Sequence, residues 1–230
     1  MSILDNININ THVRKTFHLI VNSIDGWFGL KSKRKYLNNG RYYSYQKNYI
    51  KLCPDKGIIV DIGSGGHPFP KATILADRFL EITNHRHEEL VRDERDFIIL
   101  DIEHLPFKDK SIDYLYCSHL LEHVNSPEEA CNEIIRVGKA GYIETPNFMK
   151  DMLFSWAKGM HKWHTLTIND KLIFFEYSER QLEGVRSTYW RDSVLGKYYH
   201  PNQDLFYQNN DIFNTILEWK DSFDVSVYRL

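Results

Sequence analysis

Residues 57–77, GIIVDIGSGGHPFPKATILAD, place two short β-branched runs on either side of a glycine-rich turn and close each run with an acid. The first run, 57–62, suits a central parallel strand covered on both faces. Gly63, Gly65 and Gly66 let the chain turn sharply at the strand's carboxyl end and let a ligand approach bare backbone. Asp61 opens the turn, and Asp77 falls at the tip of the second run. A carboxylate there can accept hydrogen bonds from both hydroxyls of a ribose. The segment therefore describes a pocket for an adenosine-containing ligand.

Strand and helix patterns alternate through the middle of the chain. Strands are predicted over 57–62, 73–76, 97–100, 112–117 and 140–144, with a polar helix over 81–92. A second helix starts at Ser126-Pro127-Glu128-Glu129: the serine caps it, proline suits its first position, and Glu129 completes a capping box. Such alternation predicts a parallel sheet with right-handed crossovers, whose ligands sit beyond the carboxyl ends of the strands. Asp61, Asp77 and Asp101 all fall at such ends.

Length and charge narrow the class. A chain of 230 residues suits one large α/β domain with an extension. A net charge of −2 gives no support for broad electrostatic binding to nucleic acid. Cys53, Cys117 and Cys131 lie far apart with no CxxC pair, which fits a reducing cytosol rather than a disulfide framework or a zinc site. The amino terminus lacks the pattern of a signal peptide, and no apolar stretch is long enough to span a bilayer. The expected location is the cytoplasm.

Four landmarks carry a resemblance. VDIGSGG, the acid of LADRF, the run DIEHLPFKDKSIDYLYCSHLLEHV and the run EEACNEIIRVGKAGYIETPN occur in order within 57–147. Together they resemble the motifs of the class I S-adenosylmethionine-dependent methyltransferases, small-molecule branch. The resemblance implies a Rossmann-like three-layer sandwich whose mostly parallel sheet has seven strands, the last antiparallel. It implies S-adenosylmethionine as the methyl donor and S-adenosylhomocysteine as product. Gly63, Ser64 and Gly65 would line the methionine part through backbone, and Asp61 would hold its amino group. Asp77 would bind the ribose hydroxyls and Asp101 the adenine amino group, with Ile102 against the ring. Ser118 and His119 would face the sulfonium.

The chain departs from the family's pattern in one place. His67 stands where a third glycine is usual, and only six residues separate Gly66 from Thr73. That is too short for the ordinary helix between the first two strands, so a tight loop fixed by Pro68 and Pro70 is expected. The usual helix amino terminus for the methionine carboxylate is then missing, and His67 or Arg78 could take its place. The same shortening argues against a dinucleotide enzyme, which needs a helix there to seat a pyrophosphate.

A sulfonium methyl is already activated, so alignment supplies most of the acceleration, and an oxygen acceptor also needs a base. His119, at the end of the fourth strand, and His164, in GMHKWHTL, are the candidates for catalysis. His123 reads as a packing residue. HKWH and the pair His85 and His87 offer imidazoles at short spacing, but without matching carboxylates no metal site is assigned.

Residues 1–50 read as a helical amino-terminal extension and 51–230 as the methyltransferase domain, with 148–210 a substrate-binding or lid insertion. TLTINDKLIFFEY predicts a hairpin around Asn169-Asp170, and FNTILEWKDSFDVSVYRL a second strand pair. His161, Trp163, Tyr189 and Trp190 are the candidate substrate contacts, since aromatic faces suit a sugar. The expected activity is methyl transfer to an oxygen of a small polar acceptor, such as a sugar or nucleotide-linked glycan intermediate of surface-polysaccharide assembly. A phosphate- or phosphoramidate-like oxygen or a secondary metabolite is the alternative acceptor. A non-catalytic partner subunit of a methyltransferase, or a homodimer, is the alternative role.

Overall fold

The first predicted run forms β1 (Ile59–Ile62), every residue of which is buried. In the computed structural model, which describes residues 44–83, 86, 89–154, 160–179, 181, 206 and 209–230, β1 lies at the centre of a six-stranded sheet. Its neighbours are β2 (Ile74–Asp77), β3 (Asp96–Ile99), β4 (Tyr114–Ser118), β5 (Ala140–Pro146) and β8 (Asn214–Lys220). The order is β3-β2-β1-β4-β5-β8. The first five strands run parallel, and β8 lies antiparallel beside β5, Ala140 opposite Lys220 and Pro146 opposite Asn214. Strand order reverses between β1 and β4, the switch point at which open α/β sheets bind ligands.

The period of two sorts β1 between two cores. Val60 and Ile62 join a cluster with Leu115, Cys117 and Ile143. Ile59 joins Leu75, Tyr114, Tyr116 and Tyr142 on the opposite face. Helix α1 (Pro127–Val137) covers the first cluster with Ala130, Cys131, Ile134 and Val137. Each fully buried Ile or Leu contributes about 1.5–3 kcal/mol of burial. Ser126 caps α1 as expected, accepting the Glu129 N–H at 3.4 Å. The capping box is not reciprocal: the Ser126 N–H donates to Glu103 Oε1 at 2.9 Å instead.

No helix joins β1 to β2. The expected tight loop turns straight back, with the Gly63 and Ser64 N–H groups both donating to the Ala76 carbonyl. An aromatic stack covers part of the sheet face there. Phe69 lies on Tyr116 at 4.3 Å and 3°, and Tyr116 on Tyr142 at 5.5 Å and 12°.

Residues 163–176 form the expected hairpin of β6 (Trp163–Ile168) and β7 (Lys171–Glu176). Asn169 and Asp170 take φ of 50° and 60°, the left-handed pair that a two-residue turn demands. Between β5 and this hairpin lies α2 (Phe148–Phe154).

Three expectations need correction. Among the described residues of 81–92 there is no helix; Arg86 reaches back to the Phe79 and Glu81 carbonyls. The carboxyl-terminal strands do not pair with each other: β8 enters the main sheet, whereas β9 (Asp224–Tyr228) lies parallel to β7 in a separate sheet of order β6-β7-β9. The main sheet therefore has six strands among the described residues, not seven. The helix expected near Thr11, with most of the 1–50 extension, and Tyr189, Trp190, His85 and His87 lie outside the described residues. No helix among the described residues is long and apolar enough to cross a membrane.

Candidate active site

The carboxyl ends of β1, β2 and β4, with the segments that follow β3 and β4, enclose a cavity of about 920 Å³, within the size range of ligand pockets. Asp61, Gly63, Ser64, Gly65, Asp77, Arg78, Asp101, Ile102, Ser118 and His119 all line it, as do His161 and Trp163 from the opposite wall. The sequence-derived cofactor residues are thus brought together. His164 is not among the lining residues; its ring stacks on Phe175 at 4.9 Å, and burial lowers its pKa.

Gly63 and Gly65 have φ of 79° and 51°, conformations that glycine adopts without strain. They fold the turn so that the Gly65 N–H points at Asp77 Oδ2, 3.3 Å away. Asp61 is buried, and its Oδ2 accepts the Phe69 N–H at 2.7 Å. Burial pushes its carboxyl up to about 7, although the Phe69 N–H and the Arg95 guanidinium pull it down. A ligand ammonium at this position would restore the charge.

Asp77 accepts three donors: Phe79 N–H on Oδ1, and Gly65 N–H and Arg86 Nη1 on Oδ2, the last at 2.9 Å. Of about four lone-pair positions on a carboxylate, one remains on Oδ1. Asp101 Oδ1 accepts the Glu103 N–H, and Oδ2 pairs with Arg78 Nη1 at 2.9 Å. Arg78 is thus held at the end of β3 by Asp101. The Ser64 and Ser118 hydroxyls are buried on the cavity with no hydrogen-bond partner among the described residues, which leaves donors and acceptors for a polar ligand.

Beyond β4 the chain makes a left-handed step at His119, φ 56°. Its N–H donates to the Glu144 carbonyl, which fixes the imidazole over the end of β5. Nε2 lies 3.2 Å from Glu144 Oε1, and Nδ1 3.7 Å from Glu122 Oε1. Burial and the Lys150 ammonium oppose protonation of His119; Glu122 and Glu144 outweigh them and raise its pKa.

Sequence reasoning gave no role to Glu122, Glu144, Lys150 or Asp151, all of them buried. Glu144 gathers Tyr45, Gln46, Tyr142 and Asn214 as donors. Burial lowers the Lys150 ammonium to about 8, against the pull of Glu144, Glu122 and Asp151. Glu144 had a sequence signal, since it closes the predicted run 140–144 as the other acids close theirs; in the structure β5 continues to Pro146. Asp151 had none.

Residues 71–143 match a family described as the methyltransferase domain. The resemblance to class I methyltransferases stands. The match covers about a third of the chain and begins after the glycine turn, where the sequence leaves the methyltransferase pattern. No curated protein matches the sequence. Among solved structures, the chain is similar to a methyltransferase assigned to an antibiotic biosynthesis pathway of Anabaena variabilis, at 18% identity and a TM-score of 0.37, covering 45% of each chain. The YcgJ protein of Bacillus subtilis aligns at 22% identity and 0.36, over 47% of this chain and 51% of that one. A chain from the complex between the Haloferax volcanii Trm112 methyltransferase activator and a methyltransferase aligns at 11% and 0.46, over 82% and 96%. The chain thus spans about half the length of the first two methyltransferase-fold structures.

Proposed function

We propose that this chain transfers a methyl group from S-adenosylmethionine to an oxygen of a small polar acceptor. One observation carries the reading: Asp61, Asp77 and Asp101, from the ends of three successive strands, line one cavity together with Ser118 and His119. The residues fit the donor. The cavity has the volume, Gly63 and Gly65 expose backbone, and Ser64 and Ser118 offer unpartnered hydroxyls.

Bound there, S-adenosylmethionine supplies a methyl carbon that accepts an electron pair as its bond to sulfur breaks. Asp61 holds the ammonium, Asp77 a ribose hydroxyl through its remaining Oδ1 position, and Asp101 the adenine amino group against Ile102. His119 takes the acceptor's proton on Nδ1, which stands too far from Glu122 for a hydrogen bond. Glu144 on Nε2 stabilises the imidazolium that results, the role a carboxylate plays behind a catalytic histidine. Trp163, Tyr177 and His161 form the facing wall, and their rings with Lys162 suit a hydroxylated acceptor such as a sugar or a nucleotide-linked glycan intermediate of surface-polysaccharide assembly. All three cysteines are free thiols, which supports a cytosolic location.

A second reading has its own support. Arg86 and Arg78 already pair with Asp77 and Asp101, as in a subunit that assists another methyltransferase without binding the donor. Calorimetry separates the two. Micromolar binding of S-adenosylmethionine and S-adenosylhomocysteine, lost on Asp77→Ala, supports the enzyme. Binding of neither supports the partner subunit.

A further inference from the structure

Three potential metal ligands meet at the wall opposite the cofactor residues. Glu122 and His123 follow β4, His161 precedes β6, and one ligand atom from each lies within 4.8 Å of the others. The Lys162 N–H, donating to the Glu122 carbonyl at 2.8 Å, ties the two segments together. His123 and His161 line the cavity.

Each imidazole meets an oxygen at Nδ1. That of His123 lies 3.0 Å from the Met160 carbonyl oxygen, and that of His161 lies 2.9 Å from Asp151 Oδ1. Asp151 is itself held by Tyr177, whose hydroxyl donates to Oδ2 at 2.8 Å. At His123 an Nδ1–H on the Met160 carbonyl sets the tautomer whose Nε2 carries the lone pair, the arrangement found behind metal-bound histidines; His161 Nδ1 and Asp151 Oδ1 are close but form no hydrogen bond with each other. His123 Nε2 lies 3.6 Å from Glu122 Oε1. Glu122 is 1% exposed, and its Oε2 has no hydrogen-bond partner among the described residues. Buried charge needs compensation. Glu122, Glu144 and Asp151 are all buried and act on the Lys150 ammonium, the one buried lysine among the described residues.

We propose that Glu122, His123 and His161 hold a divalent transition-metal ion at the cavity wall, placed to receive an oxygen of the methyl acceptor. Two imidazoles and one carboxylate are the donor set of catalytic zinc and of ferrous sites with open positions. Ligand atoms around one such ion, with bonds of about 2.1 Å, lie at most about 4.2 Å apart, so small side-chain rotations close the set. The role at the acceptor rests on the methyl-transfer reading. An acceptor hydroxyl on the ion gives up its proton to His119, its oxygen forms the new bond to the methyl carbon, and the carbon–sulfur pair leaves with S-adenosylhomocysteine.

The test uses the full chain, stripped with chelator and dialysed against Zn²⁺ alone, with bound metal counted by mass spectrometry. One ion per wild-type chain is expected. Glu122→Gln and His161→Ala should bind at least about 100-fold more weakly, and Asp151→Asn about 10- to 100-fold more weakly. The exposed His104→Ala should keep one ion. X-ray absorption should show two imidazoles on the bound Zn²⁺. Should His161→Ala fail to fold by circular dichroism, His123→Ala, at the more accessible ligand, decides. A wild-type chain that takes up no stoichiometric Zn²⁺, or variants that retain it, overturns the site. S-adenosylmethionine binding by the same stripped chain is measured in parallel. Cofactor bound without metal uptake removes the metal site alone. Metal bound without cofactor sustains the site and removes only the methyl-transfer reading.

Discussion

The acid beneath the glycine turn makes cofactor binding depend on pH with a predictable sign. Asp61 is raised to about 7 by burial, with Phe69 N–H and Arg95 pulling against it, so at neutral pH about half the free chain carries it protonated. A donor ammonium engages only the carboxylate. Each pH unit well below 7 therefore costs about 1.4 kcal/mol, a tenfold loss of affinity, and S-adenosylmethionine should bind about 50-fold more weakly at pH 5 than at pH 7, where half the sites are already protonated. Above 7 the affinity should level off, then fall as the ligand's α-amino group, near pH 8, loses its proton. Asp61→Asn can still accept the Phe69 N–H through its amide oxygen. It should bind about 10- to 100-fold more weakly at pH 7.5, the loss of a charge-assisted hydrogen bond, with no slope between pH 5 and 7. The same shift reduces folding stability as pH rises from the unfolded value of 3.8 towards 7, because only the unfolded chain then ionises freely. Calorimetric titrations across pH 5–9 check the binding limb. A wild-type affinity that is flat from pH 5 to 7, or an Asn variant that keeps the slope, refutes the assignment of Asp61 to the ammonium.

Other perturbations give equally definite outcomes. Glu144→Ala strands the donors of Tyr45, Tyr142, Asn214 and His119 in the core and should cost about 3–5 kcal/mol in urea unfolding. Gly141→Ala would place a Cβ 2.4 Å from the Leu115 carbonyl and 2.9 Å from the Trp219 ring; a loss of about 3 kcal/mol or more is expected, read as a lower thermal midpoint. Asp77→Asn should weaken cofactor binding about 10- to 100-fold and also lower the thermal midpoint, because it removes the charge partner of Arg86. Burial raises Glu122, but His123, His119 and His161 more than reverse this and bring it to about 2. Its stabilisation is complete above pH 4.5 and should disappear as pH falls towards 2, an acid limb that Glu122→Gln should lack.

The strands of the main sheet were legible because each is a short apolar run ended by an acid or a turn. The helix-free link from β1 to β2 was legible by length alone, and the hairpin by Asn169-Asp170. The loop at 81–92 was misread because its charged residues have ordinary helix propensity. Tertiary polar contacts from Arg86 to Asp77 and two carbonyls, and from the Val91 N–H to the Gly65 carbonyl, won instead. The split of β8 from β9 was hidden for a similar reason. The short link at 221–223 reads like a hairpin turn, and only β5 and β7, both distant in sequence, decide which sheet each strand joins. Glu122, His123 and His161 come together because the segment before β6 docks on the turn after β4, a contact no local spacing records.

The parallel seating of β9 against β7 bears on how the protein is made. During synthesis the tips of β1 to β5 have all emerged once residue 146 is made, whereas the hairpin carrying Trp163 waits for β9, some fifty residues later. The wall carrying Asp61, Asp77 and Asp101 therefore becomes foldable on the ribosome well before the wall carrying His161 and Trp163. A nascent chain arrested between them would present a cradle with one wall still open to water.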